Sequence, residues 1–459
     1  MNSKLSGKIN ILLGVHQLFS QVHTGTEVLT LELARGMRRL GHHVEILAGA
    51  PERNALGRRP TWMTQDDHDG FVVHRLHYGV GRRREPIAHD LAVTDRVQLV
   101  LELVSRRKPD VAHFNHIIGF SARVIPGIQE MGIPVLFTPT DYWIICPVVS
   151  LFRTYEERPC DGPEDGVNCV RCYKRVPRFA AKLAMWIGSL SQGKLGGNIE
   201  NLYALGRRVG VLVDAVNAAD AVLPATRFLA DILTRHGVSP RRLRVVSYGV
   251  DIGSLPDRVP VPERFSETNP LRLGFIGTLS EMKGPHVVVD AVSLMGKRSK
   301  AVVLDIFGKL DGENPYCKKL LKKVEALRTN VHFKGLFPSE KIGEVLRGLH
   351  LLVIPSRWYE STPLVLCSAL GAGTPVLVSR LGGLTEPVEE GVNGFSFPGG
   401  DGHALSEIIS NILNDPEILI KIHRISKVRL RSTSDYAKEI ESEYLKVLAA
   451  RGQKCNVKE

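Results

Sequence analysis

Pro355-Ser356-Arg357-Trp358-Tyr359-Glu360-Ser361-Thr362-Pro363-Leu364-Val365-Leu366-Cys367-Ser368-Ala369 follows directly on the apolar run Leu351–Ile354. A short, wholly apolar run reads as a buried parallel strand. The stretch after it reads as a strand-to-helix turn. Ser361 or Thr362 can cap the helix, and Pro363 suits its first turn. Glu360 then sits in the turn, and the amides of Thr362 and Leu364 point away from the helix. A helix start with open amides is an anion site, and a diphosphate is a natural guest. An acid there is by itself also a common helix-start residue, favoured by the macrodipole, so the neighbouring loops must decide.

Outward from this stretch the same rhythm repeats. Leu271–Phe275, Val302–Phe307, Val331–Lys334, Pro375–Val378 and Gly394–Phe397 read as strands, with helices between most of them. Asp251 to Pro270 holds four prolines and reads as a linker. Before it, Ile9–Val15, His43–Leu47, Val111–Phe114, Val135–Thr138 and Ala221–Leu223 read as strands. A helix from Glu27 to Leu40 ends at Gly41, a suitable C-terminal stop. Alternating strands and helices predict two α/β halves with doubly wound parallel sheets, Rossmann-like, facing an interdomain cleft. The expected domains are 1–255, with a Cys-rich insertion at about 141–200, then 270–430, then a C-terminal helix and tail at 431–459. Ligands of such sheets sit at the carboxyl ends of strands.

Two more loops there carry glycine and charge. Phe275-Ile276-Gly277-Thr278-Leu279-Ser280-Glu281-Met282-Lys283-Gly284 lets backbone approach closely, and Lys283 can reach a phosphate as a point charge. Leu381-Gly382-Gly383-Leu384-Thr385-Glu386 adds a close backbone and one more carboxylate. Taken together, Gly-x-Leu-x₃-Lys-Gly, Pro-Ser-x₃-Glu-x₂-Pro-Leu-Val-Leu, Gly-Gly-x₂-Glu and Gly-x-Asn-Gly-Phe resemble the family 4 glycosyltransferases. In the first half, Thr24-Gly25-Thr26-Glu27 is similar to that family's Gly-Gly-x-Glu loop. Pro109-Asp110-Val111-Ala112-His113 and Tyr248-Gly249-Val250-Asp251 match as well, so the likeness spans most of the chain.

The resemblance implies a GT-B fold and a retaining, metal-independent glycosyl transfer from a nucleoside-diphosphate sugar. The donor would be a UDP or GDP sugar, and the acceptor a glycan or lipid-linked glycan of cell-surface polysaccharide synthesis. Glu360 would lie beside the donor sugar. Lys283 and the amides of Ser361, Thr362 and Leu364 would hold the diphosphate, with Gly277 and Thr278 beside it. Gly25 would close over the phosphates, and Glu386 would line the sugar pocket. Asp141 is expected on the acceptor side; His113 and His116, at a strand end, read either as acceptor contacts there or as hydrogen-bonded structural histidines. No cofactor is expected for the chemistry.

The chain departs from the family pattern in three places. The second Glu of Glu-x₇-Glu is Ser368. On a continuous helix, eight residues would place it roughly 12 Å from Glu360 on nearly one face. A neutral, shorter serine gives a weaker ribose contact. Thr278 stands where a basic residue is common, leaving Lys283 with more of the phosphate charge. Thr140 stands where a His usually precedes Asp141. Two other readings therefore stay open: a nucleotide-sugar epimerase on the same fold, and a catalytically weak scaffold of a glycan-assembly complex.

Cys146, Cys160, Cys169 and Cys172 follow a C-x₁₃-C-x₈-C-x₂-C pattern in the insertion. The closing Cys-x-x-Cys is half of a tetrahedral zinc set, and four closed ligands would make the metal structural. Free thiols or a redox disulfide are the alternative. Nearby, Lys174–Leu190 sets Phe179, Leu183, Trp186, Ile187 and Leu190 on one helical face, with Lys174, Arg175, Arg178 and Lys182 around them. Such a helix packs on a core or lies on an anionic membrane surface.

Several signals lead nowhere. Gly188–Lys194 has P-loop spacing, but Leu195 replaces the magnesium-binding Ser or Thr and no strand precedes it. Asp67-His68-Asp69 falls in a polar stretch, Gln65–Gly70, read as a loop. No G-x-G-x-x-G follows the first strand, which argues against a dinucleotide oxidoreductase. The chain has 459 residues, a formal charge of +12 and seven cysteines. That is ample for a core and too few cysteines for a disulfide scaffold. The basic balance favours phosphorylated or anionic partners, but no nucleic-acid module is recognisable. With no signal peptide or membrane span to read, the expectation is a cytoplasmic protein, peripheral at the inner face of the plasma membrane.

Overall fold

The computed structural model describes residues 7–18, 25–53, 60–80, 87, 91, 93–191, 197–253, 255–327, 330–361, 363–425 and 431–452. Of the residues singled out above, Thr24, Thr362, Lys194 and Leu195 lie outside these. The chain divides into two compact units, Met1–Ser247 with Thr433–Glu459, and Tyr248–Ser432. The last helix, expected as a separate tail, thus belongs with the first unit.

In the first unit the strands are β1 (Asn10–Val15), β2 (His43–Arg53), β3 (Trp62–His68), β4 (Phe71–Val80), β5 (Val111–Phe114) and β6 (Val135–Phe137). A two-stranded hairpin follows in the insertion, β7 (Phe152–Arg153) with β8 (Arg158–Pro159), and β9 (Ala221–Val222) completes the large sheet. Its order is β3-β4-β2-β1-β5-β6-β9. Only β3 runs antiparallel. The supposed loop Gln65–Gly70 is the end of β3 and the turn into β4. Its acids have structural work: Asp66 pairs with Arg75, Asp69 with Arg35, and Asp67 accepts the Gly70 amide. An edge strand facing water shows no apolar face, which hides it from periodicity.

The second unit holds β10 (Leu271–Ile276), β11 (Val302–Phe307), β12 (Val331–Gly335), β13 (Leu351–Ile354), β14 (Val376–Ser379) and β15 (Gly394–Phe397). The order is β12-β11-β10-β13-β14-β15, all parallel. This is the doubly wound order, reversing direction between β10 and β13. Two buried clusters cover the two faces. One holds Leu271, Leu273, Val288, Leu304 and Ile409; the other holds Leu352, Ile354, Leu366, Leu370 and Val378. Leu271 and Leu273 share one face of β10, as the two-residue period of a strand requires.

The helix Thr433–Ala450 is tied to the first unit by polar contacts inside a dry interface. Tyr444 is fully buried, and its hydroxyl lies 2.7 Å from His113 Nδ1. His42 Nε2 meets Glu441 at 2.8 Å, and Gly36 leaves room for Ala437. Replacing Tyr444 by Phe strands a buried ring nitrogen. That loss should cost about 1–3 kcal/mol, read as a lower denaturant midpoint at unchanged m-value.

Candidate active site at two strand-order reversals

Glu360 brings the second unit's loops together. It follows β13, and the residue is only 4% exposed. Its Oε1 takes three donors: Lys283 Nζ at 2.6 Å, Ser356 Oγ at 2.6 Å and the indole Nε1 of Trp358 at 2.8 Å. A carboxylate withdrawn this far from water needs such partners. Lys283 comes from the loop after β10, 77 residues away in sequence, and also stands 5.2 Å from the Trp358 ring centroid. The two loops leave the strands flanking the reversal of strand order, where α/β sheets bind ligands. A main-chain contact also joins them, from the Arg357 amide to the Met282 carbonyl at 2.8 Å.

The third expected loop arrives as well. Gly382 pairs with Glu360 as an isolated parallel bridge, and the Gly383 amide donates to the Glu360 carbonyl at 3.0 Å. Gly382 has φ +64°, and a Cβ there would lie 2.8 Å from the Glu360 carbonyl oxygen. Gly284, at φ +67°, approaches the Pro355 carbonyl so closely that a Cβ would lie 2.2 Å away. Both positions therefore demand glycine. Glu386 follows the short 3-10 turn Gly383–Thr385 and is exposed. Gly277 and Thr278 follow β10, with the Gly277 amide bonded to the Phe307 carbonyl and Thr278 exposed.

The helix start differs from the expectation. Pro363 is itself the N-cap and the helix is Leu364–Ala372, with no side-chain cap. Glu360 thus lies outside the helix, so the eight-residue spacing to Ser368 is not two turns of one helix. Ser368 is buried, and its hydroxyl donates to the Leu364 carbonyl at 3.0 Å. Ser361 lies in the same loop, just after Glu360. Ser356, Trp358 and Arg357 are the residues missed from sequence. Arg357 pairs with Glu281 in the neighbouring loop. Their nearness to Glu360 within one motif was the available signal.

In the first unit the expected acceptor-side residues separate. His113 is fully buried, with Tyr444 on Nδ1 and Thr138 Oγ1 at 2.8 Å on Nε2. Burial pushes its pKa down to about 3. Both ring nitrogens are spent inside the core, so His113 is an anchor of the last helix and cannot reach an acceptor. His116 and Asp141 do meet, Nε2 to Oδ2 at 3.0 Å. The Ile118 amide donates to His116 Nδ1 at 3.0 Å, so the ring proton of the neutral form sits on Nε2, facing Asp141. Burial alone would raise the Asp141 pKa, but His116 and the Trp143 amide outweigh it and hold the carboxyl below its ordinary range.

His16 joins this pair, its ring 4.7 Å from that of His116. Burial, then His116, lowers its pKa to about 3. The three residues follow the neighbouring strands β1, β5 and β6, and the sheet reverses its strand order between the first two. Sequence reading passed over His16 because one histidine after a strand carries no pattern. Gly25 starts the helix Gly25–Arg39 and is exposed. Thr140 lies 2.9 Å from Thr26, oxygen to oxygen.

Cys146, Cys160, Cys169 and Cys172 are free thiols around one cavity with room for about one water molecule. Burial pushes Cys146 up to about 11 and also raises Cys169 and Cys172. In these positions no group of three or more His, Cys, Asp or Glu side chains among the described residues is placed to hold a metal ion. A separate groove of about 820 Å³ runs along the insertion past Asp161, Asp165, Arg207 and His236. It shares no residue with either strand-end cluster.

Removing the cation beside Glu360 tests the packing of the second unit. Lys283→Met leaves the nearly buried acid with two neutral donors. The lysine side chain is 29% exposed, which limits the loss to about 2 kcal/mol, measurable by urea unfolding against the parent chain.

Comparison with known proteins agrees with this layout. Residues 262–428 match the family model described as glycosyl transferases group 1, and residues 24–186 match the glycosyl transferase 4-like domain. D-inositol 3-phosphate glycosyltransferase of Corynebacterium glutamicum is 28% identical over 207 residues, 42% of this chain and 49% of that protein. The chain spans about half the length of the curated relatives it matches. Among solved structures, sucrose-phosphate synthase from Thermosynechococcus elongatus superposes with TM-score 0.65 at 17% identity, covering 96% of this chain and 100% of that one. Anabaena HepE in complex with UDP-glucose gives 0.61 at 18% identity, again covering 96% and 100%. Each half matches a model of the same kind and the fold is GT-B, so the chain belongs to the family 4 glycosyltransferases.

Proposed function

We propose that the protein transfers a sugar, with retention, from a nucleoside-diphosphate sugar to a glycan or lipid-linked acceptor in cell-surface polysaccharide synthesis. The observation that carries this reading is the Lys283–Glu360 pair at the strand-order reversal, beside the uncapped helix start at Leu364. The HepE neighbour holds UDP-glucose in its crystal structure, which supports a donor of that class here. In the reaction the bond from the sugar's anomeric carbon to the diphosphate oxygen breaks. The acceptor oxygen bonds to that carbon from the same face, and its proton passes to the leaving diphosphate. Lys283 and the first-turn amides stabilise the charge that develops there.

Glu360 is a positioning residue in this scheme. One of its oxygens takes three hydrogen bonds, one of them from Lys283, which makes it a firm holder of that cation. On the acceptor side, Asp141, held in place by His116, orients the incoming hydroxyl, with His16 beside the pair. The test is a binding panel of UDP, GDP, ADP and their sugars followed by turnover. One base should raise the melting temperature, and Glu360→Gln should bind that nucleotide while losing transfer. Normal turnover by Glu360→Gln removes the assigned role. Silence across the panel favours the scaffold reading, for which the inward-turned hydroxyl of Ser368 is the specific support.

We also propose that the four insertion cysteines take one structural zinc ion. Support comes from the four thiols lining a single cavity of about one water's size. Binding requires the thiols to turn inward and give up their protons, against the burial that raises Cys146, Cys169 and Cys172. Protein purified without chelator should carry about one zinc per chain, and stripping it should lower the melting temperature. Metal-free protein with four titrating thiols and the same melting temperature overturns the assignment.

A further inference from the structure

The helix Arg178–Ser191 is fixed to the first unit by one narrow face. Ala181 is fully buried, Gly188 packs against Leu202, and Met185 reaches Gly166 and Gly206. The opposite face is apolar and bare. Phe179 is 75% exposed, Trp186 60% and Leu190 63%, with Leu183 and Ile187 between them. At 100° per residue these five fall within an arc of about 100°. The stripe runs roughly 16 Å along the helix. An aromatic and aliphatic face of this kind is costly to leave in water.

The charges beside the stripe say what covers it. Lys182 flanks it directly, and Lys174, Arg175 and Arg178 stand exposed at the start of the helix. The helix carries no acidic residue; Arg178 borrows Glu164 from the preceding loop. A second copy docking stripe to stripe about a twofold axis would set these cations against their own images. An anionic bilayer surface satisfies both features at once. It takes the apolar stripe below the headgroups and the lysines and arginines among the phosphates. Trp186, at the edge of the arc next to Lys182, suits the headgroup boundary. Among the described residues no helix is long and apolar enough to cross a membrane, so the contact is one of lying on the surface.

We propose that the helix Arg178–Ser191 is a membrane-docking element, seating the protein on anionic lipid through Phe179, Leu183, Trp186, Ile187 and Leu190. The inference stands on the first unit alone, whether or not a sugar is transferred. The experiment is vesicle flotation with phosphatidylcholine alone and with phosphatidylcholine containing phosphatidylglycerol. The full chain should float with the anionic vesicles, less so at high salt, and remain behind with the neutral ones. Phe179→Ser/Trp186→Ser/Leu190→Ser should bind at least about tenfold more weakly with an unchanged melting temperature, since all three side chains are exposed. Brominated phosphatidylcholine within the anionic vesicles should quench tryptophan emission in the parent and spare it in Trp186→Phe. Equal flotation of the triple-serine variant overturns the proposal, as does identical quenching in Trp186→Phe. A dimer that the triple-serine substitution abolishes, with no vesicle binding by the parent, assigns the stripe to a second copy instead.

Discussion

A carboxylate that is 4% exposed has to be paired, and most of the second unit's site follows from that demand on Glu360. Three donors from two loops converge on one of its oxygens. A third loop grips its main chain through Gly383. Those loops leave β10, β13 and β14, so one acid ties together the carboxyl ends of three parallel strands. The glycines at 284 and 382 are the steric counterpart of the same constraint. Without a Cβ, the backbones come close enough to make the contacts.

The first unit solves a similar problem with histidine. His16, His116 and Asp141 come together from the loops after three neighbouring strands, β1, β5 and β6, each half-buried or more. The last helix is held to the same unit by His113 and His42, both of which spend ring nitrogens on structure. Histidines of two kinds therefore sit within a few residues of one another, and only their partners distinguish them. His42 and His113 anchor the last helix, whereas His116 holds Asp141 at the strand ends.

The insertion after β6 adds a module of its own. Its thiol cluster and the helix Arg178–Ser191 share one buried patch built on Val167, Cys169, Val170, Ala181 and Leu205. Anything that firms the thiol cluster thus firms the seat of the exposed apolar helix, because the same small core carries both. The basic residues around that helix account for part of the chain's positive balance, which is otherwise spread over the surface.

Much of this was readable before any coordinates. Apolar runs without alternation identified the parallel strands, because a sheet covered on both faces has no polar side to display. Glu360 and Lys283 could be named because each stands at a fixed distance beyond such a strand. Sequence could also name the stripe from Phe179 to Leu190, since helical period is a local property. What it could not decide were the long-range pairings. The edge strand β3, polar on its exposed side, read as a loop. His113 read equally as an acceptor contact or a structural histidine until Tyr444, 331 positions away, decided for the second. Ser368 was placed on a helix shared with Glu360 until Pro363 became the cap. Whether the stripe faced a core or water also waited for the packing. Local pattern sets which elements form; which polar atoms are already satisfied depends on neighbours that only the folded chain brings near.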